Sequence, residues 1–165
     1  MGLFDKLFGK KEEINPNHVY APMAGEAVAI SEVPDPTFSE GMMGNGIAIK
    51  PTDGKVCSPV NGTVDMMFDT GHAVSLVSDT GFEILIHVGM ETVGLNGAPF
   101  SVKVKSGDKV KKGQVLMIAD LDAIKAAGLP TITPVLICNT DDYPTFNTTI
   151  GKTVTNADVV IELAK

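Results

Sequence analysis

The chain has 165 residues, 44% of them hydrophobic, with 17 Gly and 10 Pro, which suits one domain with a sizeable core and many turns. Its formal charge is −7, and each of its 13 basic residues is Lys. That balance argues against nucleic acid, which needs clustered positive charge, and favours a basic protein partner or plain solubility.

The opening segment MGLFDKLFGKKEEINPN stands apart from the rest. Leu3, Phe4, Leu7 and Phe8 recur at helical spacing, with Lys6, Lys10 and Lys11 between or after them. Two readings stand side by side: an amphipathic helix making weak contact with an anionic membrane through residues 1–11, and a flexible tail, since the segment is too short for a stable helix in water. Lys at position 6 does not fit a myristoylation signal. Asn15-Pro16-Asn17 reads as a hinge, dividing a tail (1–17) from a single domain (18–165). Starting at Met and ending without a linker, the sequence reads as a stand-alone protein. No apolar run reaches the length of a membrane span and no secretory leader precedes the domain, so a cytoplasmic protein is expected, peripheral at the inner face of the membrane only under the first of these two readings.

From Val19 onward, short apolar runs alternate with turn signals: GEAVAI, GIAIK, VCSPV, GTVDMMF, AVSLV, FEILIHV, FSVKV, QVLMIA, TPVLIC and VVIEL. This pattern predicts an all-β antiparallel sandwich or barrel with a core of Val, Ile, Leu and Met. One helical stretch, DLDAIKAAG (120–128), carries Asp120 as a cap and Gly128 as a stop. Cys57 and Cys138 lie in apolar contexts without metal-ligand spacing and read as buried, reduced thiols. In VKSGDKVKKGQVLMIA (104–119), Gly107-Asp108 and Lys112-Gly113 punctuate two short strands, with a spacing that resembles the hairpin of biotinyl and lipoyl carriers. The Met-Lys-Met tripeptide typical of biotin attachment is absent, so the likeness implies shared β-architecture alone.

Two of the three histidines flank the turn signal Ser78-Asp79-Thr80-Gly81. If Asp79 and Thr80 form a two-residue loop, Ser78 pairs with Gly81, and His72 falls directly opposite His87 on one face. Their Cβ atoms would then be about 4.5–5.5 Å apart. A three-residue loop instead sets His72 across from Val88, and Gly71 is placed to bend the first strand. Three uses of such a pair remain open on spacing alone. A metal site is one, but two His are too few for zinc, which needs three or four ligands. Acid–base catalysis would divide base and acid between the rings. Covalent phosphoryl transfer would make one imidazole the nucleophile and the other a donor to phosphoryl oxygens.

GFEILIHVGMETV (81–93) resembles the phosphorylation-site signature of the glucose-type enzyme IIA of the bacterial phosphoenolpyruvate-dependent sugar phosphotransferase system. That signature has Gly, two variable residues, three aliphatics, His, an aliphatic, Gly, an aliphatic, a variable residue, Thr and an aliphatic, and every defined position is met. APMAGEAVAISEVPD (21–35), GNGIAIKPT (44–52), SPVNGTV (58–64), TGHAVSL (70–76), LNGAPF (95–100), VKSGDKVKKGQVL (104–116) and TPVLICN (133–139) are similar to family segments in the same order.

The resemblance implies a sandwich of the duplicated hybrid motif type and a phosphohistidine relay protein that needs no cofactor. It implies His87 as phosphoacceptor through Nε2, a Gly89 backbone carbonyl holding His87 Nδ1–H, His72 hydrogen-bonding the phosphoryl group, and Thr70 orienting His72. It implies a partner-docking face from Phe38, Met42, Met43, Phe68, Leu85 and Val93, with Asp35 and Glu91 as an acidic rim. Met42 and Met43 stand where branched aliphatics are usual, and Glu91 where Asp is commoner. HPr would donate the phosphoryl group and a sugar-permease IIB domain would take it on. Regulated permeases or kinases, and a zinc ion shared by His72, His87 and a partner's carboxylate, are further implications.

The rival reading in another class is a non-catalytic regulatory binding module on the same fold. A zinc peptidase on a related scaffold would need HxxxD and HxH segments, whereas Leu76 stands four residues after His72 and Gly89 two after His87.

Overall fold

A computed structural model describes residues 14–165, and both readings of residues 1–11 fall outside them. In chain order the strands are β1 (His18–Tyr20), β2 (Gly25–Ala29), β3 (Asn45–Pro51), β4 (Lys55–Cys57), β5 (Gly62–Met67), β6 (Ala73–Ser78) and β7 (Glu83–His87). There follow β8 (Phe100–Val102), β9 (Lys109–Val110), β10 (Val115–Ala119), β11 (Thr133–Ile137), β12 (Thr145–Thr148), β13 (Lys152–Val154) and β14 (Val159–Ala164). Among the described residues there are also two short α-helices, α1 (Pro36–Ser39) and α2 (Leu121–Ala126). α2 begins on the Asp120 carboxylate, which accepts from Ala123 N–H, and stops at Gly128, whose φ of +81° a β-carbon would resist.

Every strand pairing among the described residues is antiparallel. One sheet has eight strands in the order β13-β2-β3-β11-β7-β6-β5-β9, and two have three each, β1-β14-β12 and β4-β10-β8. The all-β sandwich read from the sequence is therefore the fold. The strands without a clear apolar run were β1, β9, β12 and β13, and each lies at a sheet edge. Edge strands are short and polar for a reason: one side of their backbone faces water, and long apolar edges invite aggregation. β9 pairs with β5, while β10 pairs with β4 and β8, so the two strands of 104–119 do not pair with each other. The likeness to a carrier hairpin ends at its spacing.

All three sheets contribute to the main core, through Val19, Ile47, Val56, Ile86, Leu116, Val135 and Ile161 among others. The central strands are buried on both faces. In β11, Val135 and Ile137 enter the main core while Leu136 enters a second cluster. In β7, Ile84 and Ile86 divide in the same way from Leu85. Burial on both faces explains why these strands read as unbroken apolar runs and not as alternation. The second cluster holds Val28, Val33, Phe38, Ala48, Ala73, Leu85, Met90, Ile132 and Leu136, and it lies under the face that carries His87.

Both thiols are free, yet only Cys57 is buried. Cys138 follows the last residue of β11, where the chain leaves the sheet for the turn at 140–142, and its side chain is exposed. The proposed hinge is tied down in the described region: Leu163 N–H donates to Asn17 O at 3.0 Å, and the Thr80 hydroxyl to Pro16 O at 3.2 Å.

Candidate functional site

The β6–β7 hairpin closes through the three residues Asp79, Thr80 and Gly81. Gly81 N–H donates to Ser78 O at 3.0 Å, Ser78 N–H to Phe82 O at 2.9 Å, and Gly81 has φ +103°. Ser78 Oγ also accepts from Phe82 N–H at 2.9 Å. A loop of this length needs a glycine at its left-handed position, and here it shifts the register by one residue. Ala73, not His72, stands opposite His87, and Val88 N–H donates to His72 O at 2.7 Å. The two-residue-loop register is thus corrected to its three-residue alternative.

That register alone would separate the histidines. Val88 lies in the main core, and strand alternation would send His72 to Val88's face, away from His87. The two rings nevertheless lie 5.1 Å apart by centroid and nearly perpendicular, at 79°. The reason is local to Gly71. β6 begins only at Ala73, and Gly71 (φ +72°) donates to Phe68 O at 2.8 Å, so His72 sits in a bend rather than in the strand. There its side chain departs from the alternation and meets Phe68, Thr70 and His87.

A β-carbon at Gly71 would lie 2.9 Å from both Phe100 Cβ and Val102 Cγ2. Gly71→Ala should therefore lower stability by about 1–2 kcal/mol for the left-handed backbone alone, and more with the clash. It should also pull His72 from its place. Urea unfolding gives the first effect and amide and imidazole NMR shifts the second; unchanged His72 resonances would remove this role for the bend.

His87 is the last residue of β7 and its Nδ1–H donates to Gly89 O at 2.8 Å. This bond fixes the proton on Nδ1 and leaves the Nε2 lone pair free, with no hydrogen-bond partner for Nε2 among the described residues. Gly89 has φ +76°, and a β-carbon there would meet Thr92 Cγ2 at 2.7 Å and Pro130 O at 2.9 Å. Only glycine allows the chain to turn its carbonyl back to the ring in this space.

His72 Nδ1 lies at hydrogen-bond distance from Thr70 Oγ1. With the hydroxyl donating to Nδ1, the His72 proton resides on Nε2. The pair then has complementary functions: an acceptor nitrogen on His87 and an N–H donor on His72.

Both rings are neutral at pH 7. Burial, and secondarily the charge of His87, push His72 down from 6.5 to about 4. Burial also lowers His87, but the Gly89 carbonyl, Asp35 and Glu91 oppose the shift and favour a cationic ring. An imidazole held below its unfolded pKa binds fewer protons folded than unfolded, so stability must fall as pH drops from about 6.5 toward about 4. Urea titrations at pH 7 and pH 4.5 should show this loss, and it should be smaller in His72→Gln; equal loss in the two proteins would show that other groups dominate the acid limb.

The remaining predicted residues are distributed around the pair. Asp35 caps α1: its Oδ1 accepts from Thr37 N–H at 3.0 Å, with Pro36 at the first helical position. The Asp-Pro-Thr sequence is a local helix-start signal, and the helix seats Phe38 with its ring 4.9 Å from that of His87. Phe68 is half-buried, 5.4 Å from the His72 ring. Phe38 and Leu85 are 5% and 6% exposed and belong to the second cluster, supporting the surface from beneath. Met42 and Met43 stand exposed in the turn after α1, and Val93 and Glu91 at the turn after His87. The third histidine, His18, pairs with Glu162 at 3.2 Å. Among the described residues, no group of three or more His, Cys, Asp or Glu could hold a metal ion, and no helix is long and apolar enough to cross a membrane.

Comparison with known proteins adds to this geometry. Residues 17–143 match the family described as phosphoenolpyruvate-dependent sugar phosphotransferase system, EIIA 1. The chain is 46% identical over 140 residues to a "PTS system glucose-specific EIIA component" of Staphylococcus epidermidis, covering 84% of each chain. To the protein of that name in Bacillus anthracis it is 43% identical over 159 residues, 96% of each. Among solved structures, glucose permease IIA from Mycoplasma capricolum aligns with a TM-score of 0.82 at 32% identity, covering 87% of this chain and 93% of that one.

Proposed function

The chain belongs to the EIIA 1 family of the phosphoenolpyruvate-dependent sugar phosphotransferase system, and from that premise we propose that His87 is the residue on which it carries the phosphoryl group from HPr to a sugar-specific IIB domain. The observation that carries this assignment is the fixed tautomer: Nδ1–H is committed to the Gly89 carbonyl, so Nε2 is an unprotonated nucleophile at pH 7.

Nε2 attacks the phosphorus of the donor phosphohistidine. A new N–P bond forms, the donor's N–P bond breaks, and its electron pair returns to the donor imidazole. Because Nδ1 keeps its proton, the phosphorylated His87 ring bears positive charge. The Gly89 carbonyl, Asp35 and Glu91, which favour a cationic ring, stabilise that charge. His72 Nε2–H, its tautomer set by Thr70, donates to a phosphoryl oxygen. Transfer to the IIB domain runs the same exchange with the acceptor as nucleophile.

Met42, Met43, Val93 and Phe68 form the apolar part of the docking face, and Asp35 and Glu91 its acidic rim, complementary to a basic partner. Zinc at this face would find the Nε2 lone pair of His87, and that of His72 only once its Nε2 proton is lost or moved, so it would take its remaining ligands from a partner, and no step of the relay passes through it. The component acts in the cytoplasm, where HPr and the IIB domain are met.

Incubation with labelled phosphoenolpyruvate, enzyme I and HPr should give one acid-labile, base-stable phosphate on His87. Absence of label with a competent donor would leave the non-catalytic binding module as the better reading.

A further inference from the structure

Thr92 is fully buried and stands at the start of the turn that follows Glu91. Its hydroxyl donates to Val88 O at 2.6 Å, four residues back, and its methyl group borders Gly89, where a β-carbon would meet it at 2.7 Å. Val88 is the peptide that joins the two histidines: its N–H donates to His72 O at 2.7 Å, and its neighbours are His87 and Gly89. On the other side, Met90 N–H donates to Pro130 O at 3.1 Å. The loop His87–Thr92 also has positive φ at Gly89 and at Glu91, a non-glycine residue at +62°, a conformation that persists only when surrounding contacts over-determine it. Glu91 gains no side-chain capping bond for it.

From this arrangement we infer that Thr92 is a positioning residue for phosphoryl transfer: its hydroxyl clamps the Val88 carbonyl, which holds the Gly89 carbonyl on His87 Nδ1 and keeps the His72 backbone in register. It touches neither ring nor phosphoryl group and acts through the Val88–Gly89 peptide. The inference rests on His87 as phosphoacceptor, yet its first consequence concerns the tautomer of His87 and not transfer. Without the clamp, Gly89 O drifts from Nδ1, the Nε2–H tautomer becomes populated, and the nucleophilic lone pair is lost from a fraction of molecules.

The test compares Thr92→Val, which keeps the shape, with Thr92→Ser, which keeps the hydroxyl. Imidazole 15N NMR should find His87 as the Nδ1–H tautomer in wild type and Thr92→Ser, and as a mixture in Thr92→Val. Phosphoryl transfer from phospho-HPr should fall about 10-fold in Thr92→Val, with KM for HPr unchanged, and stay within about twofold in Thr92→Ser. In wild type the Thr92 hydroxyl proton should be visible in slow exchange with water, a measurement that stands even if Thr92→Val does not fold. A single Nδ1–H tautomer in Thr92→Val, equal rate losses in both variants, or a fast-exchanging hydroxyl proton overturns the inference. The NMR arms need no donor protein, so failure of the relay itself, seen as unlabelled wild type, is separate from failure of the clamp.

Discussion

His87→Ala should abolish phosphoryl acceptance, reducing labelling from phospho-HPr on the order of 10³-fold or more, because the proposed nucleophile is removed. The alternative nucleophile within reach is His72, and three features disqualify it. Its Nδ1 is engaged by Thr70, its ring is pushed down to about 4, and Asp35 and Glu91 are not among the groups that act on its charge. A less basic imidazole is a poorer nucleophile, and a phosphorylated ring there would lack the carbonyl and carboxylates that stabilise positive charge at His87. Phosphopeptide mapping of wild type and His87→Ala checks the assignment. Label that persists in His87→Ala and maps to His72 would reverse the roles given to the two rings.

His72→Gln should separate accepting from passing on. The amide can donate to phosphoryl oxygens, so end-point labelling over minutes, driven by excess donor, should remain close to that of wild type. Onward transfer is a rate. As a second nucleophile approaches, charge grows on oxygens that His72 Nε2–H is placed to stabilise, and an imidazole beside a dianion can also take on a proton, which an amide cannot. The amide keeps a donor but not this proton uptake, and losing acid–base assistance of that kind costs about 10²–10⁴-fold. Turnover coupled to a IIB domain should fall within that range, and a variant that turns over within about twofold of wild type would remove His72 from the mechanism.

Local signals made much of this site legible. The signature around His87 lies within one strand and the turn after it, so its parts are near in space because they are near in sequence. The carbonyl at Gly89 is two residues from the ring it holds. Thr70 reaches His72 across the same short interval. Where the structure departs from the local signals, contacts from elsewhere decide. The loop at Asp79–Gly81 took three residues, moving His72 opposite Val88, and a one-residue shift normally sends a side chain to the other face. The histidines meet because Gly71 bends the chain, under Phe100 and Val102, which come from β8. Cys138 looked like a core residue because β11 is apolar on both faces, although the strand ends one residue earlier. α1 had its cap and proline in plain view, but four residues leave no periodicity to read.

The linear chain thus settled the class of fold, since apolar runs bounded by turns have few ways to bury themselves other than as stacked antiparallel strands. It also singled out His87, whose surroundings are local. Tertiary structure alone decided the register of the hairpin, the side of the sheet on which His72 lies, and the seat of Phe38 against His87. Each of these turns on a single residue's difference in phase, and only packing between segments distant in sequence has the energy to choose between phases that are locally equivalent.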